Sequence, residues 1–442
     1  MNAHPQGAHL SDAEINRDLL APLFRTGWKY CVAVAFFGSI ALLAFVAWAY
    51  QIDKGIGVVG KNRPAFWGLY ITNFVFWIGI SHAGTLISAI LRVVQAEWRR
   101  PITRCAEAIT AFALFTGSLF PIIHLGRAWL FYWLIPYPND RYLWPNFRSP
   151  LMWDFMAINT YLIGSLLYLY LPMIPDLALV RDKATGTRRS LYRLLALGWR
   201  GTTDEWLRLD KAISVMALLI IPVAVSVHTI VSWDFAMTVL PMWHSTIFGP
   251  YFVVGAIYSG IAALLIAMVL IRNLLRFEKY LQPVHFDNLA KLLLTLSLLW
   301  FYFTFTEYLT TWYGNEAAEM PVFWSKISGP YAPLFWAMMC CNFLIPFPIL
   351  AFKRLRTVSG ILVSSILVLS GMWLERFLII IPTLVHPFLS YNEWHYQPSW
   401  VEVSIAAGSF GIFTLFYLLF AKISPMISVW EVKEGRHRHT GS

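Results

Sequence analysis

Charge is scarce in this chain. Only 13% of its 442 residues are Asp, Glu, Lys or Arg, against 58% hydrophobic and 17% aromatic, where a soluble domain carries roughly 25% charge. That balance excludes a water-soluble globule. Cysteine is scarce too: Cys31, Cys105, Cys340 and Cys341 form no CxxC, CxxCH or ferredoxin spacing, so the chain has no recognisable thiolate set for an iron–sulfur cluster and no covalent haem site. All four lie in or beside apolar runs and read as packing residues. No P-loop is present and no dinucleotide fingerprint is read, and the scattered glycines fit close helix packing. The apolar runs are continuous rather than alternating, which excludes a β-barrel.

Those runs are long enough to cross a hydrocarbon layer of about 30 Å. They predict an all-α integral membrane protein with spans near 28–50, 66–91, 105–126, 151–176, 212–232, 249–271, 289–311, 331–352, 358–382 and 400–422. Residues 1–27 are polar and lack a signal-peptide core, so the first run is read as a retained helix. Ten spans place residues 1–27 and the tail 423–442 on one side. Of the 34 basic residues, 26 lie in the terminal segments and even-numbered connections and 8 in the odd ones, which puts both termini in the cytoplasm. The net charge of +10 is then explained by topology and anionic lipid, without nucleic acid. The cytoplasmic connection 181–211 interleaves Arg188, Arg189, Arg193 and Arg200 with Leu191, Leu194, Leu195 and Trp199, the pattern of a basic helix lying in the lipid interface.

The exoplasmic connections are aromatic instead. Tyr137, Tyr142, Trp144 and Phe147 stand in 136–150, and Trp233, Phe235, Leu240, Met242, Trp243 and Phe248 at 233–248. Such a surface suits cover by another protein, or else an aromatic belt at headgroup level.

Ionisable groups inside spans cost free energy that lipid does not return, so each is a functional candidate. His124 closes the third span and Asp154 opens the fourth, bracketing a loop with Arg127, Arg141 and Arg148. An imidazole titrates near neutrality, and together with a carboxylate it can take the two protons of a hydroxylated ring. Arg127 stands three residues after His124 and is read as sharing its helix face. Asp154 alone could equally be a helix N-terminal carboxylate. His82, Asp176, His228, Asp234 and Glu307 are candidate proton stations, and Glu375 and Arg376 can satisfy each other. Ser81, Thr85 and Ser88, and Thr304 and Thr311, could extend such a path or simply bond neighbouring helices. Nominal depth sets His82 apart and matches His124 with His228, a conceivable axial pair for a b-type haem. Trp153-Asp154-Phe155 is echoed by Trp233-Asp234-Phe235, compatible with a duplicated bundle.

The stretches SHAGTLISAILR (81–92), HTIVSWDFAMT (228–238) and FTEYLTTWYGN (305–315) resemble the NrfD/polysulfide reductase membrane subunits, most narrowly the NrfD-like membrane subunit (ActC) of the Alternative Complex III branch. The resemblance covers nearly the whole chain. It implies two four-helix bundles, spans two to five and six to nine, flanked by the first and last helices. It also implies quinol or menaquinol oxidation near the exoplasmic side of a bacterial inner membrane, without haem or an iron–sulfur cluster in this chain. Implied partners are an exoplasmic iron–sulfur subunit, multihaem cytochrome c subunits and a second NrfD-like subunit, with a terminal oxidase downstream. In that family a histidine ending the third span and an aspartate opening the fourth mark the quinol pocket, and His124 and Asp154 match them. Arg127, Glu375 and Arg376 are carried over as further quinol contacts. A b-haem cytochrome anchor and a secondary transporter are the alternatives.

Overall fold

The computed structural model describes residues 10–60, 67–135, 147–386 and 396–440. Tyr137, Arg141, Tyr142 and Trp144 lie outside the described residues. Fifteen α-helices are described: α1 (Asp12–Phe24), α2 (Trp28–Lys54), α3 (Gly68–Val93), α4 (Thr103–His124), α5 (Pro150–Lys183), α6 (Gly186–Leu195), α7 (Thr203–Ala236), α8 (Phe248–Leu274), α9 (Pro283–Gly314), α10 (Met320–Ile327), α11 (Ala332–Met339), α12 (Pro346–Ala351), α13 (Val358–Val385), α14 (Trp400–Ile423) and α15 (Val429–Thr440). No strand occurs among the described residues.

Ten segments are long and apolar enough to cross a membrane: α2, α3, α4, α5, α7, α8, α9, the α11–α12 segment Ala332–Ala351, α13 and α14. They coincide with the ten expected runs. Their ends differ, because a helix continues into the interface as long as caps satisfy its terminal N–H groups. α7 begins at a Thr202–Glu205 capping box, nine residues before the apolar run, and α14 at a Ser399–Glu402 box. The eighth span is broken: Cys340–Leu344 forms a π turn followed by Pro346 and Pro348, residues that cannot donate to the helical ladder. The run Gly55–Gly60 has GxGxxG spacing, but it follows α2 directly and forms a 3₁₀ turn at Ile56–Val58. With no strand before it, it is no dinucleotide site.

The two bundles are present. α3, α4, α5 and α7 pack around one ring, and α8, α9, α11–α12 and α13 around the other, with α3 also touching α8 and α13. α2 pairs with α14 outside the rings, and α14 leans on α4. α3 is the most enclosed span, and its SHAGT run shows why. A Cβ on Gly84 would overlap the Ala106 carbonyl of α4, so glycine lets the backbones touch, and Thr110 Oγ1 bonds Ser81 O at 2.6 Å and Thr85 N at 2.7 Å.

α1 and α15 pack together on one face, called here the terminal face. α6 lies at its side: Leu191 and Leu194 are exposed while Tyr192 is buried, as expected of a helix in an interface. Arg188 reaches Leu23 O and Lys422 O and stacks on Phe24. The opposite, distal face carries exposed Trp129, Phe131, Tyr132, Trp133, Phe147 and Trp233.

Candidate functional site

At the distal rim, α4 ends in His124. Gly126 turns the chain with φ +70°, and Arg127 becomes the exposed residue that starts the 3₁₀ helix Ala128–Leu134. Arg127 therefore does not share a helix face with His124, because the helix stops before it. The His124 ring is part-buried and packs against Trp67, ring centroids 5.2 Å apart. Below it Gln51 of α2 donates to the Ile123 carbonyl at 2.8 Å and accepts from the Tyr70 hydroxyl at 2.6 Å, serving a carbonyl that the helix end leaves without a backbone donor.

Asp154 sits in the second turn of α5, buried and facing Asp234 of α7, with which its carboxyl group interacts. Asp154 thus meets the other half of the sequence echo and not His124. Trp153 and Trp233 complete the pairing edge to face at 6.1 Å. Oδ1 of each aspartate meets no hydrogen-bond partner. Two facing carboxyl groups can carry one proton between their oxygens.

His82 and His228 touch, with ring centroids 4.5 Å apart. Nominal depth separates them, but α7 runs four residues past its predicted end at 232 and α3 begins two residues later than expected, which closes much of the offset at 1.5 Å per residue. His82 bonds Ile78 O at 2.6 Å and Ala224 O at 2.8 Å, whereas neither ring nitrogen of His228 has a hydrogen-bond partner. His228 also lies on Phe252, so His124 and His228, the two imidazoles of the haem alternative, keep different company.

From Phe252 the polar groups continue into the second bundle. Arg376 stacks on that ring at 4.8 Å and pairs with Glu375 at 3.0 Å. Glu375 accepts from Tyr251 and, at 2.6 Å, from Trp300 Nε1. A distal cavity is lined by Glu375, Tyr251, Tyr308, Glu307 and Lys326. Glu307 accepts from Ser245 at 2.7 Å. Lys326, in the short α10 outside the spans, is buried, and this pushes its ammonium down to about 8 against the pull of Glu307 and Glu319. Glu375 and Arg376 are therefore not beside His124 but across the molecule's middle, joined to α8 and α9.

Asp176 belongs to the terminal face. It pairs with buried Arg104 at 2.5 Å and accepts from the backbone of Val429 at 3.0 Å and Trp430 at 3.2 Å, the first turn of α15. Glu431 of α15 meets Arg99, Arg92 and Thr103. Glu107 lies buried nearby, accepting from Ser88. Arg104, Glu107, Lys326, Tyr251 and Gln51 do not stand out in the sequence as site residues. The signal available is charge within an apolar run for Glu107 and at the edge of that run for Arg104, both at a depth matching Asp176.

Among the described residues, His244, Glu316 and Glu319 bring potential metal-ligand atoms within 4.8 Å of one another at the distal surface. His244 Nε2 and Glu319 Oε1 stand 3.4 Å apart, which an ordinary His–carboxylate pair explains.

A ten-span helical protein with ionisable side chains threaded between two bundles is the class that these features define. Residues 57–387 match the family model described as polysulphide reductase, NrfD, and the chain belongs to that family. It is similar over 409 residues, at 23% identity, to the third (C) subunit of selenate reductase from Mesobacillus selenatarsenatis, covering 88% of this chain and 92% of the relative. It is 24% identical over 436 residues to the Hdr-like menaquinol oxidoreductase integral membrane subunit of Archaeoglobus fulgidus, 92% and 96% of the two chains. A further relative, from Halobacterium salinarum and provisionally assigned as a dimethyl sulfoxide reductase membrane subunit, is 29% identical over 240 residues, 53% of this chain and half of the relative's length.

Proposed function

We propose that this chain is the quinol-oxidising membrane subunit of a respiratory electron-transfer complex of the Alternative Complex III type. It sits in a bacterial inner membrane with its terminal face in the cytoplasm. The observation that carries the reading is the distal arrangement: a part-buried imidazole, His124, on the helix that packs against α5, whose buried Asp154 faces Asp234 of α7, each with an oxygen lacking a partner. The relative named as a menaquinol oxidoreductase membrane subunit supports the same class of substrate, and the one named as a selenate reductase subunit supports a place in a redox complex.

Oxidising a quinol to a quinone releases two protons and two electrons. His124 takes one hydroxyl proton, and the Asp154–Asp234 pair takes the other. The two electrons would leave to an iron–sulfur cluster held by a partner on the aromatic distal face, with cytochrome c haems as the further acceptors. A second NrfD-like subunit accompanies this one. The line His82, His228, Arg376, Glu375 and Glu307 is the route by which redox chemistry would move protons inward or outward. Asp176 stands off that route, since its oxygens hold α15 and Arg104.

His124→Ala or Asp154→Asn in the assembled complex is expected to slow quinol oxidation by ~10²–10⁴-fold, the range for loss of a general base. Near-normal turnover in the double variant overturns the site. The break at Cys340–Leu344 favours one second reading, a transporter, since such proteins bind substrate at interrupted helices. Purification without iron–sulfur and cytochrome subunits would decide for it.

A further inference from the structure

An apolar groove runs between α2, α4 and α14. Phe45 and Trp48 of α2, Leu119 and Ile123 of α4, and Ile405 and Ile412 of α14 line it. Counting its open side it holds about 520 Å³ of unfilled space.

Its two lining hydroxyls are occupied elsewhere. Thr116 Oγ1 bonds the Phe112 carbonyl at 2.7 Å, and Ser409 Oγ bonds Ala406 O at 2.6 Å while accepting from Trp77 Nε1 at 2.9 Å. The Trp48 indole N–H apart, what remains is an apolar wall suited to hydrocarbon. On α4 the groove begins at Thr116 and climbs to Ile123, the residue before His124, a rise of about 12 Å to the imidazole. Its outer wall is α2, whose Leu42, Phe45 and Val46 are exposed on a span-forming helix, so the groove opens toward lipid. Gln51 bridges α2 to Ile123 at its upper end.

We propose that this groove holds the isoprenoid tail of the quinol whose ring lies at His124. The inference rests on the quinol reading above and adds the path by which the substrate enters from the bilayer. Continuity with the α4 end selects this occupant: a chain seated against Leu119 and Ile123 emerges at His124, where a tailed ring must sit. An unrelated phospholipid chain has no reason to end there.

The test uses the purified complex and compares a tailed menaquinol with a tailless naphthoquinol. Leu119→Trp and Ile412→Trp fill the groove from two part-exposed positions. Each is expected to raise KM for the tailed quinol about tenfold while leaving kcat/KM for the tailless one unchanged. Leu119→Ala, which empties the groove instead, is expected to narrow the difference between the two substrates, and it serves if the tryptophan variants fail to assemble. A tailed quinol with a photoreactive group on its first isoprene unit should label residues 44–48 or 119–123. Equal effects on both quinols, or unchanged kinetics with loss of a bound phospholipid by native mass spectrometry, overturn the groove assignment. Failure of the unmodified complex to oxidise either quinol overturns the quinol reading instead.

Discussion

The carboxyl groups of Asp154 and Asp234 interact directly, so their chemistry belongs to the pair. Asp154→Asn and Asp234→Asn should each slow quinol oxidation, and the double variant should lose much less than the product of the two. Losses in steady-state rate that multiply in the double variant would show two independent groups. Lys326 makes a different prediction, because it is a buried cation brought down to about 8. Between about pH 8 and its ordinary value of 10.5 the unfolded chain binds the proton that the folded chain has released, so stability rises with pH across that window. Below about 8 both states are protonated and the burial cost is present in full. Lys326→Met should therefore raise the melting temperature in detergent at pH 7 and flatten the rise between pH 8 and 10.5. The same slope in both proteins would exclude Lys326 as its source.

At the scale of elements, two contacts govern the first bundle. Gly84 lets α3 lie against the α4 backbone at Ala106, and Gly84→Ala should cost about 1–3 kcal/mol as an overpacked contact. Thermal unfolding of the purified subunit measures it. Asp176 binds α5 to α4 through Arg104 and to α15 through two backbone N–H groups. Asp176→Ala strands the Arg104 charge, and stranding one partner of a buried pair costs about 3–5 kcal/mol. Residues 429–440 should then become sensitive to protease in membranes whose terminal face is accessible. A tail as resistant as in the unaltered protein would mean that Glu431 and its arginines hold α15 without Asp176.

For the whole molecule, the distal face predicts assembly. Trp129 and Trp133 are exposed there, so replacing both with Ser should release the partner subunits while the ten-helix chain keeps its melting temperature; loss of both together would place these rings in the chain's own stability. The spans, the two bundles and the family are legible in the sequence, because apolar length and motifs such as SHAGT are local. Individual partners are not. Asp154 meets Asp234 and His82 meets His228 through the relative rise of neighbouring helices, a quantity that span boundaries good to a few residues do not supply. The break at Cys340–Leu344 is hidden for another reason, since hydropathy registers apolar length but not the missing backbone donors of Pro346 and Pro348.

The clasp of α15 on Asp176 also sets an order on biogenesis. Arg104 and Asp176 enter the bilayer with α4 and α5, whereas the N–H groups that complete their shell come from Val429 and Trp430, translated after every span. Until the ribosome has passed those codons the first bundle carries an incompletely solvated ion pair. A chain stalled short of them lacks two of the donors that Asp176 has in the finished protein.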